Sequence, residues 1–358
     1  MRVVCAMSGG VDSSMAAALL VEQGHEVIGM TMRLYDAAPS ERTGRGGTCC
    51  SPAEVDMARL ACDSLGIPHY TVDERERFAA EVIDPFVRDY AHGRTPNPCT
   101  RCNQQIKFGP LLARAEALGA DLLATGHYAR IESGALLRGV DPAKDQSYFL
   151  FAMGAATLSR VAFPLGSWTK EDVRTAARER AMPNADAPDS QELCFVPGGD
   201  HGAVVERRAA ALGLGADAFE PGPVVDRAGQ RVGEHRGIHR ITIGQRRGFN
   251  TAGIERRYVL KVIPESRTVV VGDAEDVRTR EVRVAELHRM GLPERGEIHA
   301  RVQCRHRATP EPAVVRVEGD QAWVRFDGAA RAAAPGQAAV IYDGDRVLGG
   351  GWIAEATL

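Results

Sequence analysis

Lysine is almost missing from this chain. Only Lys107, Lys144, Lys170 and Lys261 occur in 358 residues, so nearly all of the 44 basic side chains are arginines. Aromatic residues are sparse, at 6%. No hydrophobic run approaches the length of a membrane span. The apolar N-terminal run MRVVCAM breaks at Ser8, too short for a secretory signal. A cytoplasmic protein with no membrane partner is the expectation. Internal repeats and low-complexity tails are absent, which argues against a solenoid or a disordered array. A net charge of −3 argues against a protein that coats nucleic acid by charge alone.

What is present points to a soluble globular chain of two or three domains, 44% hydrophobic and 25% charged. Charge is unevenly spread. Residues 231–310 carry 17 Lys and Arg against 10 Asp and Glu, with five of the ten histidines. Such a stretch suits docking of a polyanion, or is simply an Arg-rich solvated surface. Eight cysteines stand at positions 5, 49, 50, 62, 99, 102, 194 and 304. In a reducing compartment they are not expected to form structural disulfides.

The first half alternates β-branched runs with helical periodicity. Strands are expected at RVVCAM, HEVIGMTMRLY, IPHYTVD and ADLLATGHYARI. Helices are expected at SMAAALLVEQG, Pro52–Leu65, Phe78–Ala91 and Gly109–Leu118, the last beginning after the cysteine pair. That order predicts βαβ units and a parallel sheet as far as about Cys194. Near PGGDH, Pro197–His201, the pattern changes. Short apolar runs between Gly, Pro and Asp then recur to the C-terminus, ending in QAAVIYDGDRVLGGGWIAEA, a hairpin with Asp-Gly at its turn. The expected fold class is α/β, a parallel-sheet domain over 1–199, followed by a small central domain over 200–275 and a C-terminal all-β, barrel-like domain over 276–358. Pro39–Gly47 is read as a mobile loop.

SGGVDSS lies between the first strand and the first helix. Its glycines let the backbone approach a ligand, Ser8, Ser13 and Ser14 add hydroxyls, and the helix start attracts an anion. The loop has no lysine, so it is not a Walker A motif. Asp12 beside a polyphosphate makes sense if it orients Mg²⁺ or the loop itself. A plain glycine turn is the alternative. The motif resembles the pyrophosphate loop of the N-type ATP pyrophosphatases, whose adenine nucleotide α-hydrolase-like fold activates a carbonyl oxygen by adenylation. The loop implies that step and leaves the acceptor open.

The thiols bear on the acceptor. Thr95–Asn103, TPNPCTRCN, holds a C-x-x-C pair, and Cys194 lies in DSQELCF. Zinc needs four ligands, and Cys49, Cys50, Cys99 and Cys102 could supply them only from one C-x-x-C and one adjacent pair. A self-contained redox pair leaves the ATP loop without a purpose. Cys5 and Cys62 read as buried, inert thiols. Sulfur transfer to an activated base uses all the parts.

TPNPCTRCNQQIKF, ATGHYAR, KDQSYFL, DSQELCF, TIGQRRG and PGQAAVIYDGDRVLGGG together resemble the tRNA-specific 2-thiouridylase family over essentially the whole chain. The resemblance implies ATP contacts at Ala6, Met7, Ser8, Gly9, Gly10, Val11, Asp12, Ser13, Met32 and Gly126, with Mg²⁺ accompanying the ATP. It implies Cys102 as nucleophile and Cys194 as persulfide carrier. It implies target-base contacts at Asn97, Pro98 and Cys99, and further tRNA contacts at His127, Lys144, Asp145, Gln146, Arg305, His306 and Gln337. The partners it implies are the anticodon region of tRNA and a persulfide-donating sulfur carrier or cysteine desulfurase. Cys99 departs from the aspartate that some members carry, and His306 stands where tyrosine is common. Arg246 and Arg247 are added as phosphate contacts from their Gly-flanked turn. Two other readings remain: a lysidine-forming type of synthetase, which needs neither Cys102 nor Cys194, and a non-catalytic zinc or disulfide RNA-binding module.

Overall fold

A computed structural model of the chain describes residues 1–36, 52–189, 193–215, 219–251, 257–330 and 332–358. Cys49, Cys50 and the loop expected at Pro39–Gly47 lie outside the described residues. The described chain divides into two compact units. One holds Met1–Val82, Cys99–Gly199 and Asp345–Val347; the other holds Ile83–Pro98, Asp200–Gly344 and Leu348–Leu358.

The first unit is built on a parallel sheet. Its strands are β1 (Arg2–Ala6), β2 (Glu26–Arg33), β3 (His69–Asp73), β4 (Leu122–Thr125) and, after the short hairpin β5 (Ala129–Glu132) and β6 (Ala135–Arg138), β7 (Val161–Ala162). They pair in the order β3-β2-β1-β4-β7, all parallel. Val3, Val4 and Cys5 of the central strand are fully buried, as expected of a strand covered on both faces. The helix Val11–Glu22 buries most of its surface, including Met15 and Ala16–Ala18. It packs in one core with Ala58, Ala61 and Cys62 from the helix Pro52–Ser64 and with Val173, Ala176 and Ala177 from the helix Lys170–Glu179. Its run of alanines lets neighbouring elements approach closely, which explains a helix apolar on nearly every face.

Two sequence expectations need correction here. The run ADLLATGHYARI is two strands, not one. β4 ends at Thr125, and the chain leaves the sheet at Gly126–Tyr128 to form the β5–β6 hairpin. The cause is steric: Gly126 packs against the start of the helix Val11–Glu22, where a Cβ would lie 2.9 Å from the Asp12 carbonyl carbon and the Ser13 nitrogen. The helix expected at Gly109–Leu118 begins earlier, and the cysteine pair is part of it. Helical chain runs through Pro98–Cys102, Asn103–Leu111 and Leu112–Ala117, the middle stretch π-helical. Proline is tolerated at a helix start, where the missing N–H costs nothing. Pro110 sits inside the run, and a wider turn accommodates a residue with no N–H.

In the second unit the helix Asp84–Ala91 packs on the helix His201–Ala209. Arg208 is ion-paired to Asp84 at 2.8 Å, and the rings of Tyr90 and His201 stack at 4.5 Å. A five-stranded sheet follows, built from β8 (Gly222–Val225), β9 (Arg231–His235), β10 (Phe249–Thr251), β11 (Tyr258–Ile263) and β12 (Thr268–Gly272) in the order β10-β9-β8-β12-β11. Its core is Val224, Ile238, Ile241, Val259, Val269 and Val271. The last segment is an antiparallel barrel of β13 (Thr279–Arg289), β14 (Arg295–Gln303), β15 (Glu311–Glu318), β16 (Gln321–Ala330), β17 (Ala338–Asp343) and β18 (Arg346–Thr357). The order is β13-β16-β15-β14-β17-β18, and β13 pairs with β18 to close it. Buried and exposed residues alternate along β15 and β16, the period-two signature of a strand with one face inward. Closure leaves no open sheet edge.

Candidate active site

Ala6 ends β1, and the loop after it is held from several sides. The Met7 carbonyl accepts from Thr31 Oγ1 at 2.9 Å, and Ser8 N donates to Ser13 Oγ at 3.1 Å. Gly9 has φ of +82°, and a Cβ there would sit 2.5 Å from the Glu54 carbonyl oxygen, so only glycine fits. Gly10 is the N-cap of the helix and brings no capping side chain, which leaves the first turn to an anion. Val11 is buried below it. Asn184, 2% exposed, donates from Nδ2 to the Gly9 carbonyl at 2.8 Å and to Ser14 Oγ at 2.9 Å. Met32 is buried near the C-terminal end of β2.

Asp12 is not bare. Lys170 Nζ lies 2.7 and 2.8 Å from its two carboxylate oxygens, and the Tyr128 hydroxyl donates to Oδ1 at 2.7 Å. Lys170 also pairs with Asp189 at 2.9 Å. Asp189 takes further bonds from Lys144 at 2.5 Å and Arg174 at 2.8 Å. The cluster therefore sets three cations against two carboxylates beside a loop shaped for an anion. Burial pushes the Asp189 carboxyl up, but the bonds from Lys144 and Lys170 more than offset it and hold it well below the usual carboxylate range. Burial, then the Asp12 charge, pushes the Tyr128 phenol up, so it stays protonated and donates. The lysine absent from the loop sequence thus arrives from a helix about 160 residues away, started by a Thr169–Asp172 capping box. Sequence reasoning missed Lys170, Asp189, Tyr128, Arg174 and Asn184 as parts of the loop's surroundings. The readable signals were the rarity of lysine and the helix-start pattern Thr169-x-x-Asp172.

The C-terminal ends of the parallel strands carry the other candidates, the usual side for ligands in such sheets. After β4, His127 is 8% exposed, with Nδ1 2.7 Å from Thr125 Oγ1 and its ring among Phe108 and Phe163. Burial, then nearby Lys107, lowers its pKa well below the ordinary 6.5, so the ring is neutral. Gln146 Oε1 accepts from Tyr128 N at 3.0 Å. Asp145 accepts from the backbone of Gly139 at 3.0 Å and of Ser147 at 3.1 Å. Lys144 is engaged with Asp189 as above.

Among the described residues no two cysteines form a disulfide. Burial pushes Cys5 up strongly and holds Cys62 and Cys304 at about 12, so these three stay protonated. Cys99 is half-buried and Cys102 is 8% exposed; three positions apart on helical chain, they share a face. Asn103, next to Cys102, donates to the Phe149 carbonyl at 3.1 Å. Cys194 is half-buried, its carbonyl accepting from the Tyr35 hydroxyl just past β2 and its neighbour Phe195 edge-on to Phe78 at 5.7 Å. Among the described residues no group of three or more His, Cys, Asp or Glu could hold a metal ion.

In the second unit Asn97 and Pro98 are buried. Arg305 donates to the Ile243 carbonyl, and His306 is half-buried beside it. Gln337 donates to the carbonyls of Thr95 and Pro96. Arg246 and Arg247 are exposed. No described helix is long and apolar enough to cross a membrane.

Family models match in three segments: a tRNA methyl transferase HUP domain over residues 1–198, a tRNA methyl transferase PRC-barrel domain over 216–273 and an aminomethyltransferase beta-barrel domain over 279–353. The tRNA-specific 2-thiouridylase MnmA of Rhodospirillum centenum is 46% identical over 99% of this chain and 92% of its own length. That of Chloroflexus aggregans is also 46% identical, over 99% of this chain and 98% of its own. This chain belongs to the tRNA-specific 2-thiouridylase family. The similarity to other 2-thiouridylases runs through all three segments. Among solved structures, a 4-thiouridine synthetase–RNA complex with bound ATP is 17% identical over 59% of this chain and 51% of its own, with a TM-score of 0.34, a likeness that carries no functional argument.

Proposed function

We propose that this 2-thiouridylase family member is a tRNA-uridine 2-sulfurtransferase acting on the wobble uridine. The observation that carries the reading is the family similarity over 99% of the chain, which takes in both the anion loop and the two thiols, Cys102 and Cys194. The uridine C2 oxygen attacks the α-phosphorus of ATP; the bond to the β-phosphate breaks and pyrophosphate leaves. The terminal sulfur of a Cys194 persulfide then attacks C2, and AMP departs with the original oxygen. The Cys102 thiolate attacks Cys194 Sγ, which leaves sulfur on C2 and a Cys102–Cys194 disulfide. An external thiol reductant reduces the disulfide to two thiols, and a persulfide donor protein then transfers its outer sulfur to the Cys194 thiolate, leaving the donor as a thiol. Carrying sulfur on a fixed thiol gives it an effective concentration that free sulfide lacks.

Ala6–Ser13, Met32 and Gly126 would hold the ATP, which enters with Mg²⁺; no protein ligand for the ion is assigned. Asn97–Cys99 would meet the target base, flipped from its stack, and His127 and Lys144–Gln146 would make further contacts to the tRNA. Arg305 and His306, with Arg246 and Arg247, would meet the tRNA body. The working parts would be a catalytic domain over 1–199, a central domain over 200–275 and a tRNA-binding domain over 276–358, in a cytoplasmic protein.

Mass spectrometry of nucleosides from tRNA incubated with the protein, ATP, Mg²⁺ and a persulfide donor tests this. Thiolated uridine is expected, and Cys102→Ser or Cys194→Ser should abolish it. Undiminished thiolation in either variant, or a methylated product in place of a thiolated one, would overturn the reading.

A further inference from the structure

Thr95–Pro98 is a segment that cannot satisfy its own backbone. Thr95 and Asn97 each precede a proline and are kept extended, and Pro96 and Pro98 have no N–H. All four are buried. Within the second unit the turn between β16 and β17 supplies the partners. Gln337 Nε2 donates to the Thr95 carbonyl at 3.1 Å and to the Pro96 carbonyl at 2.9 Å, which uses both amide hydrogens. Thr95 N donates to the Pro335 carbonyl at 2.8 Å. Gly336, at φ +92°, comes so near that a Cβ would lie 2.9 Å from Thr95 O. The turn is itself pinned to β18: Gly336 N donates to Ile353 O at 2.9 Å, and Ile353 N donates to Gln337 O at 2.8 Å.

We infer that Gln337 is a positioning residue for the thiol-bearing segment. Its amide fixes the carbonyls of Thr95 and Pro96, and through them the point where the chain enters the helix Pro98–Cys102. The kinetic consequence rests on the sulfurtransferase reading; the tether does not. The family resemblance implies a tRNA contact for Gln337, yet both of its amide hydrogens are committed to protein carbonyls. Buried carbonyls that lose their donors are left unsatisfied, so the segment would loosen instead of finding equivalent partners.

Three variants test this: Gln337→Ala, Gln337→Glu, which keeps the shape but not the donors, and Gly336→Ala, which keeps Gln337 but crowds Thr95. Each should lower the single-turnover thiolation rate at saturating tRNA by roughly tenfold. The Kd for tRNA should stay within about twofold of wild type. Amide exchange at Thr95, Asn97 and Cys99–Cys102 should speed up while the rest of the chain stays protected. A weakened Kd with an unchanged saturated rate would make Gln337 a tRNA contact and overturn the proposal. So would unchanged exchange at these amides. If the wild type itself fails to thiolate uridine, the functional reading falls, and the exchange comparison still decides the tether.

Discussion

Lys170 shows what one side chain contributes here. Of the four lysines in the chain, Lys144 and Lys170 stand in the charge cluster beside the SGGVDSS loop, and Lys107 lies near enough to His127 to lower its pKa. In a chain that otherwise uses arginine, a compact ammonium suits a position that must bridge two carboxylates at once. Lys170→Met should therefore leave Asp12 and Asp189 facing an anion site without their shared cation. The expected loss of stability is about 2 kcal/mol, toward the low end for a buried pair because the Asp12 side chain is 35% exposed. ATP-dependent pyrophosphate release should fall at least about tenfold. Urea denaturation and a pyrophosphate assay check the two effects, and adding Asp12→Asn, which removes the carboxylate that loses its cation, should recover stability without recovering rate, because Asp189 keeps Lys144 and Arg174. Full pyrophosphate release in Lys170→Met would show that the cluster is structural only.

Between elements, the decisive contact is the approach of the end of β4 to the start of the helix Val11–Glu22. Gly126 stands there with no room for a side chain. Gly126→Ala has to push the first turn of the helix, and with it the loop, away from the strand. Overpacking of this kind costs about 1–3 kcal/mol, and the ATP affinity should fall at least about tenfold. Calorimetric titration with ATP reads the second effect, and an affinity within twofold of wild type would sink the argument. The same packing explains why the strand pattern in ADLLATGHYARI breaks where it does. The helix carrying Cys99 and Cys102 is also set by its surroundings: it starts on Pro98 and widens into a π-helical stretch that contains Pro110.

At the scale of the whole molecule, burial of histidine sets a pH dependence. His127, His235 and His239 are 8%, 1% and 0% exposed, and burial lowers each below the ordinary value of 6.5. The unfolded chain takes up these protons near pH 6.5 and the folded chain only at lower pH. Their contribution to stability is therefore complete above the unfolded pKa and is lost as pH falls below it. Stability should be level between about pH 7 and 8 and decline by about 1 kcal/mol per pH unit for each such histidine below about pH 6.5. Asp189 keeps its charge through that window, because its carboxyl titrates well below it. Urea midpoints across the range, with His127→Asn as a control that flattens the slope, provide the check.

The linear chain contained the parallel sheet, the position of the SGGVDSS loop between the first strand and the first helix, and the alternation of the barrel strands. Each is a local matter of β-branched runs, glycine freedom and period-two burial. It also contained Cys102 and Cys194, through short motifs that resemble those of the family. Tertiary structure alone decided that Lys170 completes the loop, that Gly126 ends a strand and that Gln337 holds Thr95 and Pro96. These depend on residues about 110 to 240 positions apart, and a charge, a steric limit or a hydrogen bond acts through space without regard to where its partners lie along the chain.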